Sequence, residues 1–132
     1  MSELVIDTSA YAAFKHGHPE AVSALRKANS IFVPSIVLGE LLAGFEVGSR
    51  REQNLSELTA FQNSLRVRAI TITEDTAERY AVIYAFLRGR GRPIPTHDLW
   101  IAAVTMEHGA ELLTADAHFF QLPQIIVKYL TT

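Results

Sequence analysis

The chain has 132 residues, 12 Lys and Arg against 14 Asp and Glu, and a formal net charge of −2. That length suits a single domain over residues 1–132, with enough chain to bury a core without staples. The absence of cysteine excludes a disulfide scaffold, a thiol nucleophile and a cysteine zinc site. A near-neutral balance gives no whole-molecule basic field, so nucleic-acid binding has to come from a local patch. The start, Met1-Ser2-Glu3-Leu4-Val5-Ile6-Asp7, carries acids where a targeting peptide wants basic residues. No apolar run approaches the ~20 residues of a membrane span. The expectation is a cytoplasmic protein with no membrane partner.

Taken in order, Leu4-Val5-Ile6 is a short apolar run ending in Asp7 and predicts a first strand. Pro19-Glu20 opens a helix with Ala21, Val22, Leu25 and Ala28 on one face. Ile31-Phe32-Val33 is a second strand, closed by Pro34. Ser35 is placed to cap the next helix, which carries Ile36, Leu38, Leu41, Leu42 and Phe45 and breaks at Gly48-Ser49. A further helix follows from Glu52 to Leu65. Val67 to Thr73 alternates apolar and polar residues as a strand does. Asp75, with Glu78 three residues on, is placed to cap a long helix ending near Arg88-Gly89. Gly91-Arg92-Pro93-Ile94-Pro95 reads as a rigid loop. A helix starting near His97-Asp98 runs to Gly109, Glu111 to Thr114 is a strand leading to Asp116, and Ile125-Ile126-Val127 is a last strand. Strands alternating with helices predict an α/β fold, a three-layer sandwich with a central, mostly parallel sheet flanked by helices. In such a sheet, ligands bind beyond the carboxyl ends of the strands.

That rule gives the acids meaning. Of the four Asp, Asp75 has a bland account as a cap. Asp7 directly follows the first strand, Asp116 lies two residues past the strand ending at Thr114, and Asp98 opens a helix that is otherwise apolar. Glu40 sits inside Ile36-Val37-Leu38-Gly39-Glu40-Leu41-Leu42, with almost no other polar side chain near it. An acid in such a stretch is costly to bury unless it is paired or binds a metal. Two carboxylates ~4 Å apart repel by about 4 kcal/mol at an effective dielectric near 20. A hard divalent cation relieves that repulsion, and all-oxygen ligation suits Mg²⁺ or Mn²⁺.

Val5-Ile6-Asp7-Thr8-Ser9, Gly39-Glu40-Leu41 with Gly44, Asp98 followed by Ile101-Ala102-Ala103, and Thr114-Ala115-Asp116 followed by Phe119 occur in that order along the chain. In this pattern the sequence resembles the PIN-domain family, and within it the VapC-type toxins of prokaryotic toxin–antitoxin pairs. The resemblance covers essentially the whole length. It implies a PIN-like α/β fold and a Mg²⁺- or Mn²⁺-dependent endoribonuclease. The family's metal ligands and catalytic acids match Asp7, Glu40, Asp98 and Asp116. Thr8 and Thr114 match hydroxyl positions that support the acids, and Ser9 stands where many relatives carry Asn. His97 replaces another frequent Asn and is expected to contact substrate phosphate or to cap its helix. The usual partners are an RNA substrate, a small antitoxin that blocks the site, and a second copy of the chain.

RNA also needs positive charge near the acids. Nine of the twelve basic residues are Arg. Arg88, Arg90 and Arg92 are expected in one Gly-rich loop ahead of Asp98, and Arg50 and Arg51 flank the break after Glu40. His16, His18, His108 and His118 lack zinc spacing and read as surface residues. Three other functions compete. A phosphoacceptor signalling domain wants paired acids at the first strand end and a late Lys, but Asp7 has no acidic neighbour and the late Lys128 lies inside the last strand. A phosphatase with an Asp nucleophile wants a second Asp where Ser9 stands. A non-catalytic PIN-like nucleic-acid-binding module would not require the full set of four acids.

Overall fold

The computed structural model describes residues 2–131. Five strands and six helices alternate: β1 (Glu3–Ile6), α1 (Thr8–Lys15), α2 (Pro19–Lys27), β2 (Ser30–Pro34), α3 (Ser35–Val47), α4 (Arg51–Gln62), β3 (Val67–Ile70), α5 (Glu74–Arg90), α6 (Thr96–His108), β4 (Glu111–Thr114) and β5 (Ile126–Tyr129). A short 3-10 turn, Ala117–Gln121, joins β4 to β5. The sheet order is β3-β2-β1-β4-β5, and every pairing is parallel. Consecutive residues of β1 (Leu4, Val5, Ile6), β2 (Ile31, Phe32, Val33) and β4 (Leu112, Leu113) are all buried, so helices cover both faces of the sheet. The expected three-layer α/β sandwich is the fold observed.

The chain leaves β1 towards β2 on one side, and β4 returns on the other side. This reversal opens a crevice at the carboxyl ends of β1 and β4. Register makes the juxtaposition specific. Ile6 pairs with Leu113, so the next residues, Asp7 and Thr114, lie side by side.

Several local expectations change. The helix α1 has no counterpart in the elements read from the sequence. Asp7 caps it by accepting from Ala10 N–H at 2.9 Å, and Ala10 and Tyr11 bury its inner face. β3 ends at Ile70 rather than Thr73. Its partner there is Pro34, the last residue of β2, beyond which α3 begins and offers no ladder. Ser35 does not cap α3 with its side chain; its hydroxyl donates to the Ile70 carbonyl instead. Nor does Asp75 cap α5. Thr73 does, in a reciprocal box with Thr76, and Glu107 accepts from the Thr76 hydroxyl at 2.5 Å. Asp75 falls in the first turn, where it favours the helix dipole.

One correction bears on function. Arg88 and Arg90 lie in the last turn of α5, not in a loop. The helix runs through Gly89 and stops at Gly91, whose φ of 65° is the left-handed conformation that glycine adopts without strain. Of the three arginines, only Arg92 is in the connection to α6. The 3-10 turn is likewise not among the elements read from the sequence, and other differences are shifts of element ends: α4 closes at Gln62, and β5 runs to Tyr129.

Candidate active site

Asp7 is 5% exposed at the end of β1. Its Oδ1 accepts from Ala10 N–H and from the Ser9 hydroxyl at 2.7 Å, and its Oδ2 accepts from the Thr114 hydroxyl at 2.5 Å. Ser9 in turn accepts from Ala115 N–H, and Thr114 accepts from Asp116 N–H, both at 2.9 Å. The β1 and β4 ends are thus sewn together through two hydroxyls, and each hydroxyl spends its one proton on Asp7. A carboxylate has about four acceptor positions, so three hydrogen bonds leave roughly one free. Burial raises the Asp7 pKa, the hydrogen bonds from Thr114, Ser9 and Ala10 oppose that, and the Asp116 charge raises it further.

Glu40 projects from α3 and is held at both oxygens. Thr8 at the start of α1 donates to Oε1 at 2.8 Å, and a ring nitrogen of His97 lies 3.0 Å from Oε2. Thus His97 does not cap α6, whose cap position is Pro95 with no side-chain bond. Asp98, in the first turn of α6, is also free of capping duty. Its Oδ2 lies 2.7 Å from Nδ1 of His118. Asp116 accepts from His118 N–H and so caps the 3-10 turn, and its Oδ1 is also 3.1 Å from His118 Nδ1. Asp98 is shifted upward, chiefly by burial; the hydrogen bond from His118 works against this, while the charges of Asp116 and Glu40 add to it.

Asp7, Glu40, Asp98 and Asp116 therefore converge from four elements on the crevice between β1 and β4. Among the described residues no Lys or Arg pairs with any of them; the side chains that reach them are the imidazoles of His97 and His118. Four of the arginines named from the sequence have other contacts. Arg51 is paired with Glu46 and Glu52, Arg50 donates to Gln53, Arg88 reaches Tyr84, and Arg90 lies over the Phe86 ring. His118, read from the sequence as a surface residue, is exposed as expected and also bridges Asp98 and Asp116. Its place two residues after Asp116 was the available signal.

The unneutralised charge leads to a prediction. Since its pKa is raised in the fold, Asp98 contributes stability that is fully present below its unfolded pKa and lost as pH rises through its folded pKa. Asparagine removes that loss and still offers an oxygen to His118. In EDTA at pH 8, Asp98→Asn is expected to melt no lower than the parent and up to about 3 °C higher, with ~1 kcal/mol corresponding to ~3–5 °C at this size. The gap should close towards pH 4. A variant that melts clearly lower at pH 8 would identify Asp98 as a structural residue.

The site is a carboxylate pocket at the switch point of a parallel α/β fold. Residues 4–124 match the family model for the PIN domain, and the chain belongs to that family. It is 32% identical over 95 residues to the ribonuclease VapC4 of Mycobacterium tuberculosis, covering 72% of this chain and 73% of that protein. It is 29% identical over 129 residues to the ribonuclease VapC2 of Rickettsia felis, covering 94% and 95%. Among solved structures, VapBC2 of Rickettsia felis bound to a DNA fragment from its promoter superimposes with a TM-score of 0.87 at 27% identity, over 98% of this chain and 99% of that one. DNA-bound VapBC of Salmonella typhimurium shares the fold, with a TM-score of 0.87 at 22% identity over 99% and 100%. The signalling-domain alternative does not survive this, and Lys128 is exposed on the edge strand. No helix among the described residues is long and apolar enough to cross a membrane.

Proposed function

We propose that the chain is a divalent-metal-dependent endoribonuclease and the toxin of a toxin–antitoxin pair, acting in the cytoplasm. The observation that carries this reading is the meeting of four carboxylates without a Lys or Arg partner. It is supported by relatives named ribonucleases and by neighbours solved as VapBC complexes. The donor set fits Mg²⁺ or Mn²⁺. One ligand atom each of Asp98, Asp116 and His118 lie within 4.8 Å of one another, and Asp7 keeps about one free acceptor position. Asp7, Asp98 and Asp116 would hold the ion, with Glu40 completing the acidic set. A divalent ion bound there supplies a Lewis acid that makes water nucleophilic at neutral pH and offsets charge on the phosphate.

The chain's own groups orient that chemistry. Thr114 and Ser9 fix both oxygens of Asp7, and Thr8 and His97 fix those of Glu40. Arg92, in the connection ahead of Asp98, and the exposed Arg50, Arg88 and Arg90 are proposed to draw in the RNA backbone; Arg51, already paired with Glu46 and Glu52, contributes least. The antitoxin would occupy the same crevice. A second copy of the chain would find apolar ground on α5, where Val82 and Tyr84 are exposed. The test is cleavage of a labelled single-stranded RNA by the purified protein. Cleavage is expected with Mg²⁺ or Mn²⁺ and at least ~100-fold slower after chelation. An equal rate in EDTA, or intact RNA with either ion, would reject the reading.

A further inference from the structure

The His118 ring does more than decorate the pocket. Its Nδ1 lies 2.7 Å from Asp98 Oδ2 and 3.1 Å from Asp116 Oδ1. Adjacent ligands of an octahedral ion with bonds of ~2.1 Å are ~3.0 Å apart, a separation close to both of these, and all three ligand atoms lie within 4.8 Å of one another. A protonated Nδ1 accounts for the same two spacings by hydrogen bonding. A single Nδ1 proton serves one carboxylate fully and the second only by being shared, whereas a lone pair at Nδ1 between two carboxylates wants a cation. The backbone aims the ring: His118 N–H is bonded to Asp116 at 2.9 Å, and the next residue, Phe119, is anchored in the core.

Resting on the nuclease reading of this pocket, we propose that Nδ1 of His118 is a ligand of the divalent ion and biases the site towards Mn²⁺ over Mg²⁺. Carboxylate and water suit both ions, but an imidazole nitrogen favours the transition metal. A donor set of carboxylates plus one nitrogen therefore discriminates where carboxylates alone discriminate little.

The experiment measures ion binding rather than turnover. Mn²⁺ and Mg²⁺ are titrated calorimetrically into the parent, His118→Ala and His118→Asn, each checked for fold by circular dichroism. Pulsed paramagnetic resonance of the Mn²⁺ forms then looks for directly bound nitrogen. The parent is expected to show a nitrogen coupling that ¹⁵N-histidine labelling alters and both variants lack. Mn²⁺ affinity should fall at least ~10-fold in His118→Ala, while Mg²⁺ affinity changes less than about 3-fold. No nitrogen coupling in the parent, or Mn²⁺ binding in His118→Ala equal to or tighter than the parent's, overturns the assignment and leaves the ring as a hydrogen-bond donor only. In that case persistent Mg²⁺ binding leaves the nuclease reading intact. A parent that binds neither ion overturns both.

Discussion

Asp7→Asn is expected to lower metal-dependent RNA cleavage by at least ~10²–10³-fold, the equivalent of several kcal/mol of transition-state stabilisation. The fold should survive. Asparagine keeps an oxygen for Ala10 N–H and the Ser9 hydroxyl, so the cap of α1 persists. The amide then faces Thr114, whose hydroxyl can turn to Ser9 Oγ, 3.3 Å away. Burial already opposes the Asp7 charge, so neutralising it removes a cost as well as a hydrogen bond, and melting in EDTA should move by no more than about 3 °C. Two readouts check this: cleavage of a labelled RNA, and growth arrest on expression without the antitoxin. Asp7→Asn protein that is folded and still cleaves at the parental rate would remove Asp7 from the catalytic set. Loss of cleavage together with loss of the native circular dichroism spectrum would make it a cap instead.

What the sequence revealed and concealed has physical reasons. β1, β2 and β4 are legible because strands covered on both faces are apolar at successive positions. The rule for parallel sheets then locates Asp7 and Asp116. Asp98 stands out because α6 buries most of the residues that follow it, and Glu40 because its neighbours in sequence are apolar, although α3 buries only Val37 and Leu41. The helix α1 is hidden because it is short and starts with Thr8-Ser9, residues that favour turns and caps as readily as helices. Its cap is also the suspected catalytic acid, and Asp7 does both jobs. In α5, two threonines supply the box that Asp75 and Glu78 were expected to form, because the paired hydroxyls also reach Glu107. Gly89 looked like a stop, yet a helix-interior glycine costs only about 1 kcal/mol relative to alanine, and it is Gly91 that takes the left-handed turn. That misplaced Arg88 and Arg90. The role of His118 was least legible. Its contact with Asp98 depends on a five-residue 3-10 turn, which no hydrophobic periodicity announces.

That turn is where fold and site are most tightly coupled, and Phe119→Ala is expected to expose the coupling. Residues 117–121 have little intrinsic stability, since short 3-10 segments have poor hydrogen-bond geometry. They stay in place because Asp116 caps one end while Phe119, 1% exposed, and Leu122, 3% exposed, are sunk in the core. Removing a buried phenyl ring costs roughly 3–5 kcal/mol, a large share of the ~5–15 kcal/mol typical of a domain. Melting should fall by ~10–20 °C. At temperatures where the variant is still folded, ion binding and cleavage should fall together, because Asp116 and His118 lose their bearings on Asp98. The Asp7–Thr8–Glu40 side, carried by β1, α1 and α3, should stay ordered. Phe119→Leu, which keeps most of the volume, should cost about 1 kcal/mol and retain activity. Calorimetry and amide exchange across residues 111–122 provide the check. A Phe119→Ala protein that melts within about 3 °C of the parent, or that binds the ion with full affinity, would show that the turn holds its shape without its anchor. The positions of Asp116 and His118 would then be set by β4 alone.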